Sequence, residues 1–348
     1  MKIIFIGTPE FGAIILEELI KGGYPPVLVI SSPDKPVGRK QILTPPPVKV
    51  VARKYGIPVE QPERIESRVP RQRSEAKEDG KAVFALPSDS EGGRRRQAFF
   101  AHLKLKIKNL KPDLGILAAY GQIIPKDILD IPKFGFLNIH PSLLPKYRGP
   151  SPIQFTILNG EKKSGVTIIL MDEKIDHGPI ISQKSLEIKE QETAETLHNK
   201  LAQLGAYLLL ETIPKWVKGL IKPKEQDDAQ VTFTKILFKK DGKIDWKKPV
   251  ELLEREIRTF YPWPGSYIIW ENKGKLIKIK VLKARVFKSP DKIKYPIGKV
   301  LVVPQNEIGI QCKKDFLLIE KLQMEGKKEM IAEDFIRGHL DFIGAILK

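Results

Sequence analysis

Cysteine is nearly absent from this sequence, since Cys312 is the single one in 348 residues. An internal disulfide is therefore excluded, and so is a structural zinc site built on cysteines. The chain also lacks any apolar run close to the roughly 20 residues that a membrane-spanning helix requires. Its apolar opening, residues 2–7, is too short for a signal peptide and predicts a buried strand. We therefore expect a cytoplasmic protein that does not associate with a membrane.

Acidic residues are outnumbered, because 60 Lys and Arg against 42 Asp and Glu leave a formal charge of +18. Such a charge favours a polyanionic partner such as nucleic acid, although a lysine-rich, heat-adapted surface would give the same excess. Residues 239–348 hold 24 Lys and Arg and 15 Asp and Glu, so half of the net charge lies in less than a third of the chain. This concentration favours a basic accessory domain.

Several common motifs of catalysis and cofactor binding are missing. Gly7 and Gly12 lie five residues apart, but no Lys-Ser/Thr pair follows them, and the G-x-G-x-x-G pattern of a dinucleotide site does not occur. No serine lies in a nucleophile elbow. The five histidines show no metal-ligand spacing. Cys312 lies far along the chain from His140 and His177, which argues against a cysteine nucleophile. We therefore expect neither a metal nor a nucleotide cofactor.

The chain divides into two halves with different patterns. Strand and helix signals alternate in the first half, which predicts an α/β domain with a parallel sheet and crossover helices. Beyond residue 239, one helix at about 249–260 precedes five short strands, which predicts a small β-barrel of OB type. The strands are expected at 2–7, 27–30, 57–59, 114–118, 135–140, 166–170 and 180–188, and then at 267–270, 276–283, 298–303, 309–312 and 316–322. We expect a catalytic domain at 1–213, a connector at 214–238 and a basic domain at 239–348.

One segment fits neither half. Residues 66–98 are polar, charged and almost without period. Low hydrophobicity predicts a disordered surface insertion between the third and fourth strands. The alternative is an additional loop that contacts RNA, but most runs of charged residues are simply exposed to solvent.

The residues with the clearest chemistry lie at a strand end, where ligands of an open α/β sheet bind. Asn138 and His140 end the fifth predicted strand, and because side chains alternate along a strand, both point the same way. A carboxamide beside an imidazole suits acyl transfer, since the amide stabilises a developing oxyanion and the imidazole donates or moves a proton. An Asn that satisfies a turn and a His that ends a strand would give the same spacing, so the short motif leaves both interpretations open.

A carboxylate for this site is expected in the loop after the sixth strand, residues 171–179. Asp176 would orient His140, or take the proton from an attacking amine through a water molecule. An Asp that bonds its own turn backbone is the alternative. Asp172 is the rival carboxylate; it lies nearer the strand end, where it would serve the fold instead. His177 is interpreted as a loop residue rather than a ligand.

Four motifs carry a resemblance to a known family. They are IGTPEF at 6–11, AAYGQIIP at 118–125, NIHPSLLPKYRG at 138–149, and, in the second half, IDW at 244–246 with IR at 257–258 and YPWPG at 261–265. Together they resemble the methionyl-tRNA formyltransferases, which are folate-dependent formyltransferases, over nearly the whole chain apart from 66–98. The later QMEGKK at 323–328 supports the match. The resemblance implies a Rossmann-like formyltransferase domain with a parallel-rich sheet, followed by a small OB-like β-barrel domain that binds tRNA.

The resemblance also implies roles for individual residues. The catalytic residues would be Asn138, His140 and Asp176. The tetrahydrofolate site would be formed by Ser142, Leu143, Leu144 and Pro145 and by the backbone of Tyr120, Gly121, Gln122 and Ile123. The loop 33–40 would contact tRNA through Lys35, Arg39 and Lys40, with Arg39 entering the acceptor stem; a plain surface arginine is the alternative.

The implied reaction is transfer of the formyl group from the co-substrate 10-formyltetrahydrofolate to the amino group of initiator methionyl-tRNA, by a monomeric enzyme of translation initiation. Two alternatives remain open: a formyltransferase for a small amine, such as a purine precursor or an aminosugar, and a non-catalytic RNA-binding module. The basic second domain and the 33–40 loop favour RNA, whereas the intact catalytic set favours an enzyme. The chain departs from the family at 261–262, where Tyr-Pro replaces the common Asn-Pro, which is a mild change for packing.

Overall fold

The computed structural model describes residues 1–38, 40–65, 91–288, 295–303 and 307–347, of which 91–96 are described by their backbone alone. The chain divides into two compact units. The first unit contains Met1–Gly149, Gly165–Ser185 and Asn199–Phe233, and the second contains Pro150–Ser164, Leu186–His198 and Thr234–Lys348. Each unit combines segments that are far apart along the chain, so the units do not test a division at single points of the sequence. The domain bounds expected at 213 and 239 stay a prediction.

Strands and helices mostly alternate as far as residue 217, apart from the successive strands β2–β4 and β8–β9. In chain order they are β1 Ile3–Gly7, α1 Glu10–Lys21, β2 Leu28–Ile30, β3 Lys35–Val37, β4 Ile42–Thr44, α2 Pro47–Lys54, β5 Val59–Glu60, α3 Glu91–Leu110, β6 Leu114–Ala118, α4 Lys126–Leu129, β7 Phe136–His140, α5 Pro152–Leu158, β8 Lys163–Leu170, β9 Ile180–Glu187 and α6 Ala194–Val217. None of the helices in the described residues combines the length and the apolarity that a membrane crossing needs.

Seven of these strands form one sheet in the order β5-β2-β1-β6-β7-β8-β9. The pairs from β5 to β7 are parallel, and β7 pairs antiparallel with β8, which confirms the expected parallel-rich sheet. The chain leaves β1 toward β2 and β5 and then returns to the other side of β1 with β6 and β7. Such a reversal opens a crevice at the carboxyl ends of the strands, and Thr8, Ala119 and His140 all lie at that edge.

Glycines allow close packing at two places in this sheet. A Cβ atom on Gly7 or on Gly12 would lie 2.7 Å from the carbonyl oxygen of Ala118, so the start of α1 packs directly on the end of β6. A Cβ atom on Gly115 would lie 2.3 Å from the ring of Phe136 on the neighbouring strand. Gly7 and Gly12 therefore serve the approach of a helix to a strand end.

The segment expected to be disordered, 66–98, is partly helical. Helix α3 begins at Glu91, so residues 91–98 are helical, while 66–90 lies outside the described residues and the insertion itself stays a prediction. Phe100, Leu103 and Ile107 bury one face of this helix in the core. Because helix formation is cooperative, an anchored apolar stripe extends a helix into a polar first turn that shows no period of its own.

The second unit is built around an antiparallel sheet. Besides α5, its elements beyond Thr234 are α7 Val250–Phe260, β10 Ser266–Asn272, β11 Lys275–Phe287, β12 Val300–Val303, β13 Glu307–Gln311, β14 Phe316–Met324, β15 Met330–Ile331 and α8 Ala332–Gly338. The strands run in the order β10-β11-β14-β13-β12, with β15 beside β14. The core includes Leu253 of α7 and Trp270, which makes edge contacts with Phe335 and Phe342. This curled antiparallel sheet confirms the expected OB-like fold class; β15 and α8 were not predicted.

Candidate active site

Strand β7 delivers two polar side chains to the carboxyl edge of the sheet. Asn138 and His140 are only 7% and 4% exposed, and they alternate with Ile139, which is buried in the core. Asn138 Nδ2 donates a hydrogen bond to Asp176 Oδ1 at 3.1 Å. Because this donor must be the amide nitrogen, the carboxylate fixes which way the Asn138 side chain faces.

His140 contacts oxygen atoms through both ring nitrogens. Its Nε2 lies 3.0 Å from the carbonyl oxygen of Tyr147, and its Nδ1 lies 3.4 Å from Asp176 Oδ1, an ion-pair distance. Tyr147 itself adopts a left-handed backbone, with φ of 64°. The imidazole is therefore held between a fixed acceptor and a carboxylate, an arrangement that can hold or pass on a proton.

Asp176 joins three separate segments through one carboxylate. Besides the contacts with Asn138 and His140, its Oδ2 accepts a hydrogen bond from the Gly149 main-chain N–H at 2.8 Å. The residue adopts a left-handed backbone, with φ of 48°. The structure thus brings together the three residues that the resemblance marks as catalytic.

The rival carboxylate has different partners. Asp172 Oδ1 accepts a hydrogen bond from the main-chain N–H of Lys174 at 2.9 Å, and its Oδ2 lies 2.5 Å from His177 Nδ1. Asp172 and His177 therefore brace their own loop. Of the two carboxylates that the sequence left open, Asp176 is the one in contact with Asn138 and His140.

The loop after β7 turns two of its predicted folate residues inward. Ser142 is fully buried and donates a hydrogen bond to the carbonyl oxygen of Lys146 at 2.7 Å, and Leu144 is 3% exposed. Leu143 and Pro145 are half-buried. Thr167 on β8 secures this loop, because its hydroxyl donates to the Ser142 carbonyl oxygen at 2.6 Å and accepts from the Leu144 N–H at 3.1 Å. Ser142 and Leu144 thus shape the loop, and Leu143 and Pro145 remain partly accessible.

The loop after β6 contains the other predicted folate residues. Gly121 has φ of 80° and no atom within 4 Å of where a Cβ would lie, and Ile123 is 54% exposed. Tyr120 is buried, and burial raises the pKa of its phenol. Gln122 accepts a hydrogen bond from the Ile65 N–H at 3.1 Å. Since β6 and β7 are neighbours, this loop and the 142–145 loop leave the sheet side by side.

The chain matches known formyltransferases along both halves. The family Formyl transferase matches residues 1–213, and the family Formyl transferase, C-terminal domain matches residues 236–340. The chain is 40% identical over 339 residues to a methionyl-tRNA formyltransferase of Bacillus velezensis, with 97% of this chain and 94% of the relative covered. The chain belongs to the methionyl-tRNA formyltransferase family.

Two solved structures are similar to this chain in fold. An N-formyltransferase from Helicobacter canadensis, in complex with folinic acid and dTDP-3-aminofucose, aligns with a TM-score of 0.60 at 19% identity, over 95% of this chain and 100% of that chain. HypX from Aquifex aeolicus, in complex with tetrahydrofolic acid, aligns with a TM-score of 0.58 at 14% identity, and this chain covers 48% of it. At such identities the likeness shows a common fold.

The loop that the family resemblance assigns to tRNA forms an exposed hairpin. Strands β3 and β4 pair antiparallel, and Lys35 and Lys40 are exposed. Arg39, the predicted acceptor-stem residue, lies outside the described residues. The hairpin was not predicted, because two three-residue strands that face solvent on both sides show no alternation of apolar and polar residues.

A buried polar cluster anchors the base of this hairpin. Lys49 of α2 is 6% exposed, and its Nζ donates to Asp34 Oδ1 at 2.6 Å, to Asp34 Oδ2 at 2.8 Å and to Gln61 Oε1 at 2.5 Å. Gln61 Nε2 in turn donates to Asp34 Oδ1 at 2.8 Å. These hydrogen bonds lower the pKa of Asp34 below its usual value of 3.8, and the bond from Lys49 has the largest effect.

One cavity lies away from the candidate site, and no metal cluster was found in the described residues. A cavity of about 630 Å³ is lined by Lys111, Asp113 and Lys133, which precede β6 and β7, so it opens at the opposite edge of the sheet. Within the described residues, no three His, Cys, Asp or Glu side chains are grouped so that they could hold a metal ion.

Replacement of Lys49 tests the anchor. A lowered folded-state pKa means that the ionised Asp34 stabilises the fold above about pH 4, and that this contribution is lost as the pH falls. Lys49→Met should therefore raise the pKa of Asp34 toward 3.8, as measured by carboxyl NMR titration. The pH dependence of the free energy of unfolding should become flatter below about pH 5. Lys54→Met is the matched control on the same helix, because Lys54 pairs with Glu17 and lowers the pKa of Glu17. An unchanged Asp34 titration in Lys49→Met would contradict the anchor.

Proposed function

We propose that this chain transfers the formyl group of 10-formyltetrahydrofolate to the amino group of initiator methionyl-tRNA. The acceptor is supported by near full-length relatedness to methionyl-tRNA formyltransferases at 40% identity. The chemistry is carried by one observation, which is that Asn138 and His140, at the carboxyl end of β7, both contact the Asp176 carboxylate. Formyl transfer by this family is an acyl transfer, and the three side chains suit its two requirements, an oxyanion donor and a proton acceptor.

Asn138 meets the first requirement. As the uncharged amine adds to the formyl carbon, the formyl oxygen takes up negative charge. The Nδ2 group of Asn138 carries two hydrogens, and Asp176 accepts one of them, so the other is available to that oxygen. A donor whose direction is already set costs no reorganisation during the reaction and contributes about 10²–10³ in rate.

His140 and Asp176 meet the second requirement. When the new C–N bond forms, the amine nitrogen must lose a proton, and the folate nitrogen must gain one as its bond to the formyl carbon breaks. His140 Nδ1 and Asp176 Oδ1, 3.4 Å apart, form a pair that takes up the first proton, directly or through a water molecule, and returns it to the leaving nitrogen. The reaction needs no net gain or loss of protons by the enzyme.

The loops beside this pair fit a folate. A pterin ring needs apolar contact on its faces and main-chain partners along its edge. Ile123, Leu143 and Pro145 supply partly accessible apolar surface next to Asn138 and His140. The open backbone at Gly121, where no side chain intervenes, leaves main-chain groups within reach of a ring edge. Tyr120 and Gln122 support the loop from within, by burial and by the bond to Ile65.

Basic residues support the tRNA half of the proposal. Lys35 and Lys40 present two exposed charges on the hairpin, and residues 239–348 hold half of the net charge of +18. Lysines of this kind bind RNA through phosphate groups, and the release of counterions makes such binding fall with salt. Arg39 completes the proposed contact, and the monomeric state expected from the resemblance remains part of this proposal.

The catalytic assignment predicts the effect of two substitutions. His140→Ala and Asp176→Asn should each lower kcat for formylation of methionyl-tRNA at least a hundredfold, because each removes a group that handles the proton. Folate affinity should change less than threefold. Asp172→Asn, which alters the other loop carboxylate, should keep kcat within threefold of wild type. Formyl-methionine released from the tRNA would be quantified by mass spectrometry; near-wild-type turnover in either catalytic variant would refute the assignment.

The hairpin assignment predicts a change in salt dependence. Lys35→Ala combined with Lys40→Ala should weaken tRNA binding and reduce the slope of log K against log salt by about 2, roughly one per lost phosphate contact. The control is Lys133→Ala, at the opposite edge of the sheet, which should leave the slope unchanged. A slope that stays the same in the double variant would rule out phosphate contacts at the hairpin.

A further inference from the structure

The connector after α6 is built into the first unit rather than hanging free. Lys224 and Ile180 exchange two main-chain hydrogen bonds, at 2.7 and 2.9 Å. Further along, the Tyr147 N–H donates to Thr232 Oγ1 at 2.8 Å, and the Arg148 N–H donates to the Thr232 carbonyl oxygen at 2.9 Å. Residues 224–232 are thus secured at both ends, against β9 and against the loop that follows β7.

Gln226 lies between these two attachments, and all of its amide atoms are used. Its Nε2 donates to the carbonyl oxygen of Asp176 at 2.9 Å and to that of Gly178 at 2.8 Å. Its Oε1 accepts from Arg148, from Nε at 3.1 Å and from Nη2 at 2.9 Å. Only one orientation of the amide satisfies these four contacts, because the opposite one would place oxygen against oxygen and nitrogen against guanidinium.

Arg148 is well placed to fix that orientation. Its side chain is 5% exposed, and its planar fork meets Gln226 with two donors while Nη2 also contacts Asp228 at 3.2 Å. Arginine presents these donors in a rigid geometry, so it determines direction as well as charge. Its main chain adjoins Gly149, whose N–H donates to Asp176 Oδ2.

The turn that Gln226 holds has little freedom elsewhere. Asp176 lies in the left-handed region, with φ of 48°, which a residue with a side chain adopts only when its surroundings impose it. Gly178 packs so closely on the end of β8 that a Cβ atom would lie 1.8 Å from the Leu170 carbonyl oxygen. The strand thus constrains one end of the turn, and the amide of Gln226 captures the two carbonyls that the turn presents.

We propose that Gln226 is a positioning residue of the active site, which holds the left-handed turn at Asp176 and is itself oriented by Arg148. It acts through Asp176: when the two carbonyls are held, the carboxylate stays in contact with Asn138, His140 and the Gly149 N–H. The catalytic consequence rests on the proposed formyl transfer, whereas the placement of the carboxylate does not.

Two substitutions separate positioning from general stability. Gln226→Met keeps the length of the side chain and removes its polar atoms. Gln226→Glu keeps the contact with Arg148 and turns a carboxylate oxygen toward the two carbonyls, which repel it. Each should lower kcat about 10- to 100-fold, with KM for folate and for tRNA within threefold of wild type, because misplaced catalytic groups affect turnover more than binding. Gln230→Met, on an exposed glutamine of the same segment that bonds Asp227, is the matched control and should retain wild-type kcat.

The effect should depend on the Asp176 carboxylate. In the Asp176→Asn background, Gln226→Met should change kcat less than twofold further, because the group that it positions is gone. An equal loss in both backgrounds would overturn the proposal and would mean that Gln226 acts on the fold in general.

A second readout does not depend on any acceptor. Hydrogen exchange of the Gly149 amide, followed by NMR, should accelerate at least tenfold in Gln226→Met and in Gln226→Glu, and stay as in wild type in Gln230→Met. Equal protection of this amide in all four proteins would overturn the positioning role even if kcat fell. A wild-type protein that fails to formylate methionyl-tRNA would instead overturn the proposed function, and the exchange data would still decide the role of Gln226.

Discussion

One carboxylate organises the candidate site. Asp176 accepts hydrogen bonds from Asn138 Nδ2 and from the Gly149 N–H and lies at ion-pair distance from His140, so it joins a strand end to two loops. Its side chain is only 14% exposed, and a carboxylate with so little access to water requires such partners. The same bonds that satisfy this charge orient the amide and the imidazole. Satisfying the buried charge and arranging the catalytic groups are therefore a single structural requirement.

Much of the framework follows from local sequence patterns. The buried strands around 3–7 and 114–118 are continuous apolar runs, whereas 136–140 alternates apolar and polar residues; the order of these strands along the chain predicts a parallel sheet with its site at the carboxyl edge. Alternation along β7 placed Asn138 and His140 on one side. The choice between Asp172 and Asp176 was beyond the pattern, since both lie in one loop and only three-dimensional contacts distinguish them.

What the pattern missed has common physical causes. Gln226 lies in a connector without period, and its importance comes from contacts with residues about 50 and 78 positions away. Lys49 sits on a short helix and gains its partners from two strand ends. The start of α3 has no apolar stripe of its own and depends on residues further along. The local pattern of apolar residues indicates which face of a segment is buried. These features depend instead on contacts with residues elsewhere in the chain, which the local pattern does not show.

A single structure with a bound ligand can test the geometry of the candidate site. A crystal structure with an unreactive formyl-folate analogue should place the formyl oxygen about 2.7–3.1 Å from Asn138 Nδ2. His140 should lie on the side from which the amine approaches, and Asp176 should keep its contacts with Asn138 and Gly149. A formyl group bound beyond hydrogen-bond reach of Asn138 and His140, in an otherwise unchanged site, would contradict the account.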